Sequence, residues 1–138
     1  MTTAPASITR AITLELIDAS GTATTVDADL LYDVSDPFAI TACFDTGDTK
    51  VRWVFGRDLL NQGRYEPTGD GDVHVWPCLS ARGEAVTIIE LSSPDGEALL
   101  QARTLDVNDF LRRTEDLVPW GTEADLIDFD AAVSRLLG

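Results

Sequence analysis

The chain has 138 residues, 44% of them hydrophobic and 25% charged, which is typical of one globular domain and not of a disordered chain. Its 24 acidic and 10 basic residues give a formal net charge of −14, which opposes binding to nucleic-acid phosphates and anionic membrane surfaces. The N-terminal residues do not predict a secretory signal, and no apolar run approaches the roughly 20 residues of a membrane span. Cys43 and Cys78 suggest no disulfide framework and fit reduced thiols in a cytoplasm.

The first half of the chain predicts four antiparallel strands. Apolar and polar residues alternate over residues 8–17, 26–34, 38–44 and 51–55, with breaks at Ser35-Asp36-Pro37 and at residues 45–48. Residues 1–7 predict a flexible N-terminus, followed by a single domain over residues 8–138. The period then changes, which predicts a short helix near Leu59 and Leu60 with Gly63 as its stop.

The second half predicts three more strands, over residues 72–79, 85–91 and 97–104. A helix then begins, with Asp106 as its predicted N-cap and Pro119 as its end. Its buried stripe comprises Val107, Phe110, Leu111, Thr114 and Val118. A last helix is predicted over residues 128–137. This order indicates an α+β fold with about seven strands and a weak internal repeat, in which strands are twice followed by a helix.

The stretch GDGDVHVWPC, residues 69–78, combines the only histidine with a cysteine and two aspartates. His74 and Cys78 would lie about 13 Å apart on one face of a strand, too far apart to bind one metal ion together. The residues after Asp72 do not follow the calcium-binding EF-hand pattern. We therefore predict a turn that leads into a strand, with Gly69 and Gly71 allowing positive φ, and no metal site.

The sequence lacks the common catalytic motifs, including GxSxG, HExxH and phosphate-binding glycine loops. We therefore predict no catalytic residue, no cofactor and no enzymatic activity. Tyr32, Trp53 and Trp76 could form a stacking platform for single-stranded nucleic acid. However, Tyr32 and Trp53 share strand faces with aliphatic residues, which favours positions in the core, and Trp76 shares its face with His74 and Cys78, which suggests an interface. Trp120 lies outside any periodic element, so it is either tucked against the sheet or offered to a partner.

Many short motifs, in their order along the chain, resemble those of the SsgA-like proteins of sporulating actinomycetes, and of the SsgB-like proteins among them. The resemblance runs from about Leu30 to Glu123. Its motifs are Tyr32-Asp33, Asp36-Pro37, Trp53-Val54-Phe55, Arg57-Asp58-Leu59-Leu60, Pro67-Thr68-Gly69, Gly71-Asp72-Val73, Val75-Trp76-Pro77, Ser92-Ser93-Pro94, Gly96-Glu97-Ala98-Leu99-Leu100, Phe110-Leu111 and Gly121-Thr122-Glu123.

The resemblance implies a non-enzymatic adaptor in sporulation-specific cell division. Such an adaptor would help recruit the tubulin-like ring protein FtsZ to septum sites, together with an SsgA-like paralogue. It also implies a Whirly-like fold of two antiparallel sheets with one short and two longer helices, a homotrimer, and a cytoplasmic location at the septum. The alternative is a single-stranded nucleic-acid-binding protein of the same fold, which the net charge opposes.

Two sets of residues are predicted to make contacts with other chains. The strands at residues 73–79 and 86–91 carry apolar residues on both faces, which indicates that the second face packs against helices or another subunit. The residues predicted at the oligomer interface are Trp76, Val75, Ile89 and Leu91. Those predicted to contact a partner are Trp120, Phe129 and Leu136.

Overall fold

The computed structural model describes residues 7–126 and contains one antiparallel sheet with two helices. The helices are α1 (Arg57–Gly63) and α2 (Thr104–Leu117). The strands are β1 (Ser7–Ile17), β2 (Ala23–Asp33), β3 (Ala39–Asp45), β4 (Lys50–Gly56), β5 (Thr68–Asp70), β6 (Val73–Leu79), β7 (Ala85–Ser93) and β8 (Gly96–Arg103). Residues 123–126, at the end of the described range, are also helical. The last predicted helix, over residues 128–137, lies outside that range.

The eight strands follow the order β4-β3-β2-β1-β8-β7-β6-β5 across the sheet. Each half of the chain forms an antiparallel meander that ends in a helix. Pairing of residues 15–17 in β1 with residues 99–101 in β8 joins the two meanders. The α+β class and the antiparallel strands are confirmed, but the two-sheet arrangement is wrong, because this central pairing makes one curled sheet. The likeness to a Whirly fold stays a prediction.

The predicted strand count was one too low, because β5 falls in the segment predicted as a loop. This strand of 3 residues pairs with residues 73–75 of β6 through a tight hairpin. Gly71 in the turn has φ +60°, which confirms the turn that leads into a strand. Gly69 serves a different purpose from the predicted one. A Cβ at this position would lie 2.3 Å from the ring of His74, so glycine lets the ring pack against the backbone.

The hydrophobic core lies on the concave face of the sheet, beneath α1 and α2. The alternation predicted for β2 is confirmed, and Leu30 and Tyr32 are almost fully buried. The predicted buried stripe of α2 is confirmed as well, and Phe110 and Leu111 pack into the same core. One residue predicted to face inwards, Phe38, is exposed because β3 begins only at Ala39.

One prediction about helix ends is wrong, and another is confirmed in its position but not in its mechanism. Helix α2 begins at Thr104, directly after β8, and its N-cap Arg103 makes no side-chain capping bond. Asp106 therefore lies within the first turn and pairs with Arg10 of β1 at 3.3 Å. Helix α1 ends at Gly63 as predicted, but this glycine does not adopt the left-handed conformation of a glycine cap. Its role is close packing, since a Cβ there would lie 2.3 Å from Cγ1 of Val75.

Candidate functional site: the Arg57 cluster

A buried arginine at the start of α1 organises the most polar part of the interior. Arg57 follows β4 directly, is 1% exposed, and donates its backbone N–H to the carbonyl of Phe38 at 2.8 Å. Its Nε donates to the hydroxyl of Thr114 at 3.3 Å, and its Nη2 donates to the carbonyl of Val118 at 2.6 Å. The side chain therefore ties α1 to the end of α2.

The guanidinium of Arg57 lies over two aromatic rings. Its central carbon is 3.8 Å from the ring centroid of Trp120 and 4.8 Å from that of Tyr32. Both distances suit cation–π attraction, which is strongest where water is excluded. The Tyr32 hydroxyl donates to the carbonyl of Pro37 at 2.9 Å. Burial raises the pKa of this phenol, and the charge of Arg57 offsets part of that effect.

The charge of Arg57 is balanced by Glu123, which is 6% exposed. Nη1 lies 3.4 Å from Oε1 of Glu123, an ion pair without hydrogen-bond geometry. The same carboxylate oxygen accepts the backbone N–H of Gly121 at 2.7 Å. Gly121 has φ +89°, a left-handed conformation that suits glycine and turns the chain back towards the arginine.

These contacts define the Arg57 cluster, which comprises Tyr32, Arg57, Thr114, Val118, Trp120 and Glu123. The cluster joins β2, the start of α1, the end of α2 and the segment after it. Desolvating two charges costs about as much as their attraction gains, so a buried ion pair mainly favours one arrangement over others. The arrangement favoured here fixes the segment of residues 118–123, and with it the start of the helical residues 123–126.

The Arg57 cluster holds four parts of the chain together. The charged and aromatic groups of Arg57, Glu123 and Trp120 face one another. Within residues 7–126 the structure contains no group of three or more His, Cys, Asp or Glu side chains that would bind a metal ion. In the same range no helix is both long and apolar enough to cross a membrane.

The predicted interface residues lie on opposite faces of the sheet. Val75, Ile89 and Leu91 are 0%, 2% and 4% exposed, and they belong to the chain's own core. Only Trp76 of the predicted set lies on the outer face, where it is half-buried and pairs across the strands with Ile88. On that face, too, the His74 ring is half exposed, with Nδ1 3.8 Å from the carboxylate of Glu90.

Of the three residues predicted to contact a partner, the structure describes only Trp120. Trp120 is half-buried and packs against both the core and Arg57, so it is tucked in on one side and open on the other. Phe129 and Leu136 lie outside the described residues. Sequence reasoning assigned no role to Arg57 and Glu123. One signal for the arginine was available, because it continues the inward alternation of Trp53 and Phe55 in β4.

Comparison with known proteins identifies the family. A model of the family described as Streptomyces sporulation and cell division protein, SsgA, matches residues 26–123. The chain belongs to the SsgA family. This confirms the resemblance found in the sequence, and the matched range contains the whole Arg57 cluster.

Relatives within the SsgA family match nearly the full chain. Sporulation-specific cell division protein SsgB of Streptomyces coelicolor is 48% identical over 125 residues, with 90% of each chain covered. The protein of the same name from Thermobifida fusca is 41% identical over 138 residues, with 99% of each chain covered.

Two solved structures of the family share the fold. A crystal structure of an SsgA-like sporulation-specific cell division protein from Thermobifida fusca has a TM-score of 0.87 at 41% identity, with 98% of both chains covered. The other was reported with mutations in SsgB that correlate to longitudinal cell division during sporulation of Streptomyces coelicolor. It has a TM-score of 0.82 at 46% identity, with 87% of this chain and 94% of the other covered.

Proposed function

We propose that this chain is a non-enzymatic adaptor in sporulation-specific cell division. The observation that carries the proposal is 48% identity over 90% of the chain to a protein named for that process. The absence of enzymatic activity rests on the same relatives, which are named as division proteins. The direct test is to express this chain in a Streptomyces coelicolor strain that lacks its SsgB. Restored septation of aerial hyphae supports the proposal, and unrestored septation at normal protein levels contradicts it.

The molecular task we propose is to help position FtsZ at future septa, together with an SsgA-like paralogue. This step rests on the sequence resemblance, and it implies a cytoplasmic protein concentrated at the septum. Binding of purified FtsZ to the immobilised chain would measure the interaction, with the paralogue added in a parallel series. A fluorescent fusion followed during sporulation would measure the location. No binding with or without the paralogue, or a fusion spread evenly along the hypha, contradicts this task.

We propose further that the chain assembles as a homotrimer through the outer face of β6 and β7. Val86 and Ile88 lie on this face and give it an apolar floor, and their cross-strand partners are the exposed Cys78 and the half-buried Trp76. Such a face resembles the apolar centre of a subunit interface more than a wet sheet surface.

Trp76→Glu tests the assembly, because it places a charge in the proposed contact at a cost of several kcal/mol if the charge is fully desolvated. Sedimentation equilibrium should find a trimer for the wild type and smaller species for this variant. Gln62→Glu adds the same charge on the exposed side of α1 and should leave the trimer intact. A monomeric wild type at micromolar concentration overturns the assembly, whereas a folded, trimeric Trp76→Glu protein overturns only the placement of Trp76.

The rival function is binding of single-stranded nucleic acid. Such binding depends on neutralising phosphates with basic side chains, which a net charge of −14 opposes. A salt series with single-stranded DNA compares the two functions directly. Submicromolar binding at physiological salt would favour the rival over the adaptor.

A further inference from the structure

Arg64 is held in a fixed position at the junction of the two helices. It is the C-cap residue of α1, and its side chain reaches across to α2. Nε donates to the backbone carbonyl of Asn61 at 3.3 Å, Nη2 donates to the Asn61 side-chain oxygen, and Nη1 donates to the side-chain oxygen of Asn108 at 2.7 Å. Two asparagines therefore orient this guanidinium before any partner arrives.

The positive charge of Arg64 has no negative partner among the described residues. Arg57 pairs with Glu123, and Arg10, Arg112 and Arg113 all pair with Asp109. The residues that hold Arg64 are neutral amides, which accept hydrogen bonds but carry no charge. Each terminal nitrogen keeps a second N–H after these bonds are made, and a pair of such N–H groups matches the two oxygens of a carboxylate.

The exposed ring of Tyr65 lies beside this guanidinium, and an exposed leucine lies on the side of α2 that Arg64 reaches. The ring centroid of Tyr65 lies 4.7 Å from the central carbon of Arg64, and Tyr65 is 72% exposed. Leu105 is 68% exposed and lies one helical turn before Asn108, on the same side of α2. Tyrosine and arginine are two of the residue types that carry most of the binding energy in protein interfaces.

We propose that Arg64, Tyr65 and Leu105 form a docking surface for an acidic segment of a protein partner. The Arg64 guanidinium would bind an Asp or Glu carboxylate through its two free N–H groups. The Tyr65 ring and Leu105 would receive an apolar residue next to that carboxylate. Charge favours this occupant, because the surface offers an oriented cation that has no acidic partner within residues 7–126, and a carboxylate is the group that complements it. The inference goes beyond the proposed function and does not require FtsZ to be the partner.

Selection from a library of random twelve-residue peptides displayed on phage tests this surface with the full chain as target. The enriched peptides should share an Asp or Glu within a few positions of a large apolar residue. One synthetic peptide of the consensus, and the same peptide with Asn or Gln in place of its acids, are then titrated by fluorescence anisotropy. The acidic form should bind at least about tenfold more tightly than its amide form, as expected for a bidentate arginine–carboxylate pair.

Variants of the chain assign the binding to this site. Arg64→Gln should weaken binding of the acidic peptide by at least about tenfold and leave binding of the amide peptide unchanged. Asn108→Ala removes one of the side chains that orient the guanidinium and should weaken binding of the acidic peptide by a smaller factor. Arg82→Gln removes the same charge from an exposed turn and should change nothing. Melting temperatures measured by circular dichroism ensure that only folded variants are compared.

Three results would overturn the proposal. The first is a selection that enriches no acidic peptide, and the second is equal binding to the wild type and Arg64→Gln. The third is a change of oligomeric state in Arg64→Gln or Tyr65→Ala, measured by sedimentation, which would assign this surface to contact between copies of the chain. Loss of FtsZ binding or of complementation without these results would count against the proposed function alone.

Discussion

The two strand-to-helix junctions of the molecule share their backbone geometry, but one begins its helix with a buried charge and the other with a neutral hydroxyl. At each junction a strand runs directly into a helix from an extended N-cap residue without a side-chain cap, Gly56 in the first and Arg103 in the second. The first helical residue of α1 is Arg57, which buries a charge and holds the segment after α2. That of α2 is Thr104, whose hydroxyl lies 3.0 Å from that of Thr87.

The difference follows from what each helix has to hold. Helix α1 has only 7 residues, too few for a stable helix on local bonds alone, and depends on tertiary contacts. Helix α2 has 14 residues and an apolar stripe that packs on β1, β7 and β8. Its ion pairs with Arg10 of β1 lie near the surface. The buried ion pair of Arg57 and Glu123 therefore lies where apolar packing alone would not fix the position of α1 or of residues 118–123.

The largest effect is expected for removal of the buried cation. Arg57→Met leaves the Glu123 carboxylate buried without its counterion and should lower the free energy of unfolding by about 3–5 kcal/mol in urea denaturation. The double variant Arg57→Met, Glu123→Met should recover much of this loss, because it buries no unpaired charge. Arg113→Met, at an exposed ion pair of α2, is the control and should change stability by less than about 1 kcal/mol. If the single Arg57→Met variant is as stable as the wild type, the Arg57 cluster does not stabilise the fold.

The next effect concerns the close approach of α1 to β6. Gly63→Ala should stabilise an isolated helix, yet the new methyl would overlap Val75, so we expect a net loss of about 1–3 kcal/mol. Gln62→Ala, on the exposed side of the same helix, should be neutral or slightly stabilising. Combining Gly63→Ala with Val75→Ala should restore part of the stability, and unfolding curves that move the other way would contradict the packing assigned to Gly63.

The second junction should be less sensitive than the first. Thr104→Val removes the hydroxyl partner of Thr87, which is fully buried, and should cost about 1 kcal/mol. Adding Thr87→Val should bring the stability back towards that of the wild type, because no buried hydroxyl then lacks a partner. A loss as large as that of Arg57→Met would mean that both junctions depend equally on polar contacts.

The smallest effect is expected for the surface ion pairs of α2, and it should depend on pH. The hydrogen bond from Arg10 lowers the pKa of Asp109, and Arg113 and Arg112 lower it further. A carboxyl whose pKa is lower in the folded state stabilises the fold above its unfolded pKa, and this contribution disappears as pH falls through the folded value. The melting temperature of Asp109→Asn should therefore lie below that of the wild type at neutral pH and approach it in acid. A difference that persists unchanged in strong acid would point to a cause other than ionisation.

Local patterns predicted the first meander well and the second less well. In β2 the alternation of Leu30 and Tyr32 with aspartates sets the buried face directly, because successive side chains of a strand point to opposite faces. The pattern missed β5, because Thr68–Asp70 is too short and too rich in glycine to alternate. It also predicts that α2 starts after Asp106, because aspartate often caps helices, whereas β8 continues directly into the helix at Thr104.

The Arg57 cluster could be only half predicted. The arginine continues an inward alternation, and Tyr32 is predicted to be buried, but Glu123 lies four residues after Pro119 and belongs to no periodic segment. No local rule joins residues this far apart in the chain. The sequence pattern does not decide whether Trp120, in a loop, packs in the core or contacts a partner. In the structure, one side of its ring packs against the guanidinium of Arg57.

By itself, the sequence determined the α+β class, the meanders, the apolar stripe of α2 and membership of the family, because these depend on local alternation, helical spacing and short motifs. The tertiary structure alone decided that β1 pairs with β8 to make one sheet, since that pairing depends on both meanders being folded. It also decided that Arg57 meets Glu123 and that Arg64 has no carboxylate partner within residues 7–126. Charges far apart in the chain acquire or lack partners only when packing brings their neighbourhoods together, and no single segment carries that information.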